Sequence, residues 1–290
     1  MAQLTVLDTI SDPGSESRAN EDAVGHNESC VFVLDGATGL GGEPVMAGEP
    51  SDAAWLANRA ASMFVERVGP QSDVPAVLAG MISDIGVEFA AAAGGREIPR
   101  YALPAAGFAM VLVSRDGIAF HGLGDCTVFA GDAAGAVTKF SALNGFAAWE
   151  SDGARKHAQR LGGFSSSGSL LGDEETLRHL RYLRALQNTH ESGVWTISLV
   201  PEAAQHIVST PLSDLLPLDL LLCTDGFAAL VDAYGAHSPE SLMTAAKTDG
   251  LSSLLHELRH IERTVDPSGL TYPRYKQSDD ATAVLVRISA

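Results

Sequence analysis

Cys30-Val31-Phe32-Val33-Leu34-Asp35-Gly36 is a short run of β-branched and aromatic residues that ends on a carboxylate and a glycine. Its length and bulk predict a buried strand with an acid held rigidly, and partly desolvated, at its edge. The pattern recurs where Leu220-Leu221-Leu222-Cys223-Thr224 runs into Asp225-Gly226, and in reverse where Asp279-Asp280 opens Ala281-Thr282-Ala283-Val284-Leu285-Val286. Acids at the edges of strands so distant in sequence point to a cation site assembled by the fold. Glu21-Asp22, ahead of the second strand, and Asp125, after Leu123-Gly124, are further candidates. Mg²⁺ and Mn²⁺ prefer such hard oxygens, and two neighbouring ions need several of them, with one carboxylate able to bridge. Asp-Gly is also a common turn dipeptide. Asp116-Gly117, Asp152-Gly153 and Asp249-Gly250 read as ordinary turns or helix ends, so the joint pattern carries the inference.

Working outward, Leu4 to Ile10 alternates loosely as a strand, and Val24 to Leu34 holds a strand or a hairpin. Ser51 caps a predicted helix through Val68, with Leu56, Ala60, Met63 and Phe64 on one face. Asp73 starts a second helix that Gly94-Gly95 ends. Phe108 to Ser114, Ile118 to Leu123, Thr127 to Ala130 and Ala136 to Phe140 read as consecutive strands, the first two joined by a hairpin turn at Arg115-Asp116-Gly117. The polar stretch from Gly145 to Asp173 yields no assignment. Glu174 to Leu186, Pro239 to Lys247 and Leu251 to Thr264 read as helices, and Val194 to Leu199, Asp219 to Thr224 and the final run as strands. Mostly antiparallel strands flanked by helices predict an α+β protein, a four-layer sandwich with two sheets face to face and helices outside.

The 290 residues are 46% hydrophobic, enough for a large core, and no Pro/Gly/Ser linker divides them, so a single domain over 1–290 is expected. A formal net charge of -17 without a Lys/Arg cluster argues against nucleic-acid or anionic-membrane partners and suits a chain that gathers carboxylates around divalent metal. Cys30, Cys126 and Cys223 lie in apolar runs and read as buried thiols in a reducing compartment. The first ten residues lack the basic and apolar regions of a secretion signal, and no apolar run reads as long enough to span a bilayer. The expectation is a soluble cytoplasmic protein.

The order Asn20-Glu21-Asp22, Val33-Leu34-Asp35-Gly36, Gly124-Asp125, Cys223-Thr224-Asp225-Gly226 and Ser278-Asp279-Asp280-Ala281-Thr282 resembles the metal-dependent protein phosphatases of type 2C, over nearly the whole chain. Each motif is short, but five in this order are specific. The resemblance implies an α-β-β-α sandwich and a phosphoserine/phosphothreonine protein phosphatase using two Mn²⁺ or Mg²⁺ ions, with a third possible. Asp35 would bridge the two ions, Asp225 and Asp279 would hold the first, and the Gly36 carbonyl would ligate the second. Glu21 and Asp22 would act through water, and Asp125 would hold the third ion. Water activated between two cations would attack phosphorus directly, with no Ser or Cys nucleophile.

Two positions depart from the family pattern. Its phosphate-gripping Arg stands five residues before the second acid; here Ser17 takes that place and Arg18 lies four before Asp22. Many members carry His after the bridging Asp-Gly, where this chain has Ala37; His26 and His121 are the alternatives for proton donation. The segment of about 145–192, with Leu161 to Gly168 and the basic residues Arg178, Arg181 and Arg184, falls where the family has a variable flap beside the active site, and is expected to shape substrate choice.

Two rival functions remain. The departures motivate a catalytically weak or inactive phosphatase fold that binds phosphoproteins or a regulatory partner. His256-Glu257-Leu258-Arg259-His260 matches the HExxH zinc-protease motif. Leu251, Leu254, Leu255, Leu258 and Ile261 form that helix's apolar stripe, which turns both histidines toward solvent, and no third ligand follows.

Overall fold

A computed structural model describes residues 2–16, 18–164, 168–212 and 216–290; Ser17 and part of the Leu161 to Gly168 stretch fall outside the described residues. The chain runs through β1 (Gln3–Asp12), β2 (Ala23–His26), β3 (Cys30–Gly36), α1 (Asp52–Arg67), α2 (Val74–Ala93), β4 (Ala106–Ser114), β5 (Gly117–Leu123), β6 (Thr127–Gly131) and β7 (Val137–Ser141). It continues through α3 (Phe146–Leu161), α4 (Glu174–Leu186), β8 (Val208–Pro211), β9 (Leu218–Cys223), α5 (Asp225–Asp232), α6 (Pro239–Thr248), α7 (Leu251–His260) and β10 (Ala281–Ser289).

Local chemistry sets several of these boundaries. The Ser51 hydroxyl accepts the Ala54 N–H at 3.0 Å and starts α1. The Asp73 carboxylate does the same for α2, which ends on Gly94 in the left-handed region at φ 59°.

Both sheets are antiparallel. One has the order β1-β10-β9-β6-β7, the other β2-β3-β4-β5-β8. Strand alternation sorts the apolar residues into three layers. Val31, Val33, Val111 and Phe120 of one sheet meet Val128, Leu220, Leu222, Val284 and Val286 of the other in the central core. Phe32, Leu34, Phe108 and Met110 point outward against Leu56, Met63, Phe64, Leu78 and Ile82 of α1 and α2. Phe129, Leu221, Cys223 and Leu285 do the same toward Phe227, Leu242, Leu251, Leu254 and Leu258 of α5, α6 and α7. The chain thus forms the expected α-β-β-α sandwich. Its three thiols are buried and unpaired, and burial pushes the Cys30 thiol up to about 12.

The structure corrects the sequence in four places. Val194 to Leu199 is not a strand: beyond the isolated bridge between Ala106 and Ile197 it joins no ladder among the described residues. The unassigned stretch holds α3, which begins on Gly145 without a side-chain cap and leaves Trp149 53% exposed, so neither cap nor apolar stripe announces it. Asp225 opens α5 instead of ending a strand outright. Val74–Ala93 is, by length and composition, long and apolar enough to cross a bilayer, contrary to the sequence expectation. Its Leu78, Met81, Ile82, Ile85 and Phe89 nevertheless pack into the core, and Asp84 and Glu88 pair with Arg67 and Arg59 of α1.

Candidate metal centre

The ends of β3, β9 and β10 bring the sequence-predicted acids to one end of the sandwich. Asp35 lies opposite Gly107 across the β3–β4 ladder. Its carboxyl and that of Asp225 each disturb the ionisation of the other. Burial, then the charges of Asp225, Asp22 and Asp125, push Asp35 well above the usual carboxylate range. Burial and Asp225 raise Asp125 to about 7. Asp225 is raised by burial and by Asp279.

Two close backbone crossings fix this cluster. A Cβ on Gly36 would lie 2.3 Å from the Glu21 carbonyl oxygen, and one on Gly226 would lie 2.0 Å from that of Asp280. Only glycine lets these segments touch, so the Asp-Gly pairs at 35 and 225 serve approach as well as turning. The Gly36 N–H donates to the Glu21 carbonyl at 3.1 Å, and the Glu21 N–H donates to Asp280 Oδ2 at 2.8 Å. Burial lifts the Asp280 carboxyl to about 6.

Hydroxyls hold the two N-terminal acids. Ser51 donates to Glu21 Oε1 at 2.6 Å and Thr38 to Oε2 at 2.7 Å. Thr224 donates to Asp22 Oδ2 at 2.9 Å. The other oxygen, Asp22 Oδ1, is buried with no hydrogen-bond partner, and burial followed by the Asp280 charge pushes Asp22 well up. An orphaned carboxylate oxygen among mutually repelling acids is what a bound cation would relieve. The donors are all oxygen, which fits Mg²⁺ or Mn²⁺. The acids are splayed: among the described residues, the trio of His, Cys, Asp or Glu whose ligand atoms all lie within 4.8 Å of one another is His190, Glu202 and His206, elsewhere in the molecule.

Three more groups belong to this end, and the sequence motifs do not reveal two of them. Lys276 sits on Asp279 and donates to Thr38 Oγ1 at 2.8 Å. Burial pushes Asp279 up, but Lys276 and the Asp280 N–H outweigh it and hold the carboxyl low. Glu150 of α3 is raised to about 8 by burial and by Asp225, Asp125 and Asp279. Arg184 of α4 donates to the carbonyls of Ala37 at 3.3 Å and Thr38 at 3.4 Å. Arg181 reaches the Leu40 carbonyl at 2.7 Å, whereas Arg178 stays exposed. The i, i+3 spacing of Arg181 and Arg184 was the available signal. The segment of about 145–192 therefore borders the centre through Glu150 and Arg184.

Arg18 donates to the Ser278 carbonyl at 2.8 Å, beside Asp279. His121 bonds Ser209 on β8 at 2.8 Å, and burial lowers its pKa; His26 is exposed at the far end of β2. His256, Glu257 and His260 face solvent, with Glu257 paired to His237 at 2.9 Å.

No family model matches the sequence, and no curated protein does. Solved structures do. The chain is similar to the catalytic domain of the serine/threonine protein phosphatase PstP in complex with two manganese ions, at TM-score 0.52 and 16% identity over all of both chains. It is similar to PppA, a regulatory component of the T6SS in Pseudomonas aeruginosa, at TM-score 0.51 and 16% identity over 99% of this chain and 97% of that one. The PPM Ser-Thr phosphatase MsPP of Mycobacterium smegmatis matches at TM-score 0.51 and 15% identity, over 99% of this chain and all of the other. The chain has the α-β-β-α fold of the metal-dependent, type 2C-like serine/threonine phosphatases.

Proposed function

We propose that this protein is a Mn²⁺- or Mg²⁺-dependent phosphoserine/phosphothreonine protein phosphatase. The observation that carries the proposal is the convergence of Asp22, Asp35, Asp125, Asp225 and Asp279 at one end of the sandwich, with a buried Asp22 oxygen left without a partner. Asp35, Asp225 and Asp279 are the proposed ligands of one ion. Asp35 and the Gly36 carbonyl serve a second, and Asp125 a third. Bound divalent ions would supply Lewis acidity and lower the pKa of water.

The chain's own groups have separable tasks. Ser51 and Thr38 hold both oxygens of Glu21, and Thr224 holds one oxygen of Asp22, which restrains these two acids. Arg184 and Lys276 place positive charge beside the acids, where a phosphate monoester dianion needs it. Arg18, anchored on the Ser278 carbonyl, adds a third cation at the margin. Glu150, held mostly protonated at neutral pH by burial and the neighbouring acids, adds little negative charge of its own. A cytoplasmic setting is part of the proposal, supported by the three unpaired buried thiols.

The test is hydrolysis of an aryl phosphate and of a phosphothreonine peptide with and without Mn²⁺, comparing wild type with Asp35→Asn and Asp225→Asn. Mn²⁺-dependent turnover lost in both variants supports the proposal. Metal-independent turnover, or full activity in both variants, overturns it. One observation favours a second reading. The Lys276 ammonium already occupies Asp279, as in a site that binds phosphoproteins without processing them. Saturable phosphopeptide binding with no turnover in Mn²⁺ would select that reading.

A further inference from the structure

We propose that His190, Glu202 and His206 form a second metal site, for a nitrogen-preferring divalent transition ion such as Zn²⁺. It uses none of the residues of the acidic centre and does not depend on that centre being catalytic. The ligand atoms of the three side chains all lie within 4.8 Å of one another. His190 Nε2 and Glu202 Oε1 are already 3.0 Å apart. Two ligands of a tetrahedral ion with bonds of about 2.1 Å stand roughly 3.4 Å apart, so small side-chain rotations close the set. Two imidazoles and a carboxylate leave an open position for water, the donor set of an open zinc site. Imidazole nitrogen also selects against Mg²⁺, which the oxygen-lined centre suits.

The frame around these residues is stiff. His206 stacks on Trp195 at 3.6 Å between ring centroids and 5° between planes. Trp195 is itself buried, which fixes the plane of the His206 imidazole. His190 stands edge-on to both rings, at 5.5 Å and 5.6 Å. Its turn is held by Asn188, which adopts the left-handed region at φ 56°. The Asn188 side chain donates to Thr196 Oγ1 at 3.0 Å and accepts the Thr196 N–H at 2.9 Å. Glu202 and His206 share the 3-10 turn Pro201–His206, anchored through buried Ala203 and Ala204 in the core beneath α1 and α2. The three ligands therefore come from two anchored segments, and an ion would tie the turn that follows α4 to the turn that precedes β8.

Co²⁺ is the probe, because a four-coordinate site of this kind gives it an intense visible absorption that a six-coordinate oxygen shell lacks. The wild-type protein, with excess Mg²⁺ to fill the acidic centre, is titrated with Co²⁺ and then with Zn²⁺. The expected result is one equivalent of coloured Co²⁺, displaced by Zn²⁺. Affinity should fall by about tenfold or more in His190→Ala and in His206→Ala, and His256→Ala should titrate as wild type. Circular dichroism confirms that each variant is folded. The proposal is overturned if no visible band appears, if the His190→Ala and His206→Ala proteins bind as wild type, or if His256→Ala removes the band.

Discussion

Two sets of charged groups meet at the acidic centre, and they are held there differently. Asp35 lies near the end of β3, Asp225 opens α5 just after β9, and Asp279 comes just before β10, and these strands are fixed by ladder pairing and by two glycine crossings. Glu150, Arg184 and Lys276 come from α3, α4 and the loop before β10, and reach in on long side chains. Position in the first set is a property of the backbone, so a shift there moves a whole strand. Position in the second is a property of rotamers, free to change between related sandwiches without disturbing the core. In the proposed reading the first set holds ions and the second decides what approaches them.

The largest effects are expected at Asp35 and Asp225. Asp35→Asn and Asp225→Asn should each lower Mn²⁺-dependent phosphatase activity by more than about 100-fold, beyond what losing an outer partner costs, with an unchanged circular dichroism spectrum. Equal loss of activity and fold would mean that these acids serve structure alone. Arg184→Gln should act more mildly, raising KM for a phosphopeptide by roughly tenfold, the worth of a charge-assisted hydrogen bond, while kcat moves less. Steady-state kinetics separates the two.

Lys276→Gln has the opposite expected sign. Removing the ammonium from Asp279 frees a ligand oxygen, so the Mn²⁺ concentration for half-maximal activity should fall severalfold in a metal titration. An unchanged or higher requirement would assign Lys276 to phosphate alone.

The smallest effect is on stability against pH. Asp125 and Glu150 are raised to about 7 and about 8 without metal. Their folded forms bind protons that the unfolded chain has already released. They favour the folded state at low pH, and that contribution is lost as pH rises through their folded values. His121 and His157, lowered by burial, act with the opposite sign but only below the ordinary histidine range. Above pH of about 7 the carboxyls dominate. The melting temperature of the metal-free protein should therefore fall by a few degrees from neutral to mildly alkaline pH, and Mn²⁺ should abolish the fall. A flat profile in calorimetry would show that the acids are not proton-bound.

Much of the first set was legible in the sequence, because a strand end and a helix cap are local events. The runs into Asp35 and Asp225 carry their own burial signal, and Ser51, Asp73 and Gly94 mark helix ends by side-chain and backbone chemistry alone. The second set was not. Glu150 lies on a helix with no side-chain cap and an exposed Trp149, and nothing around Lys276 distinguishes it from any loop lysine. Val194 to Leu199 failed for a related reason: its alternation is real, but a strand needs a partner, and pairing is decided by the rest of the molecule.

The bond from the Glu21 N–H to Asp280 and the one from Thr224 to Asp22 bear on the order of folding. They join the first acids of the centre to residues more than two hundred positions later, so the acidic centre cannot exist in a half-made protein. At ribosomal rates of about 5–20 residues per second, Asp22 waits on the order of ten to fifty seconds for its partners. Through that interval β2 and β3 can form a hairpin with α1 beside it, but the chain has no centre to hold metal. Whatever this site does, it is denied to the nascent chain until β10 is in place.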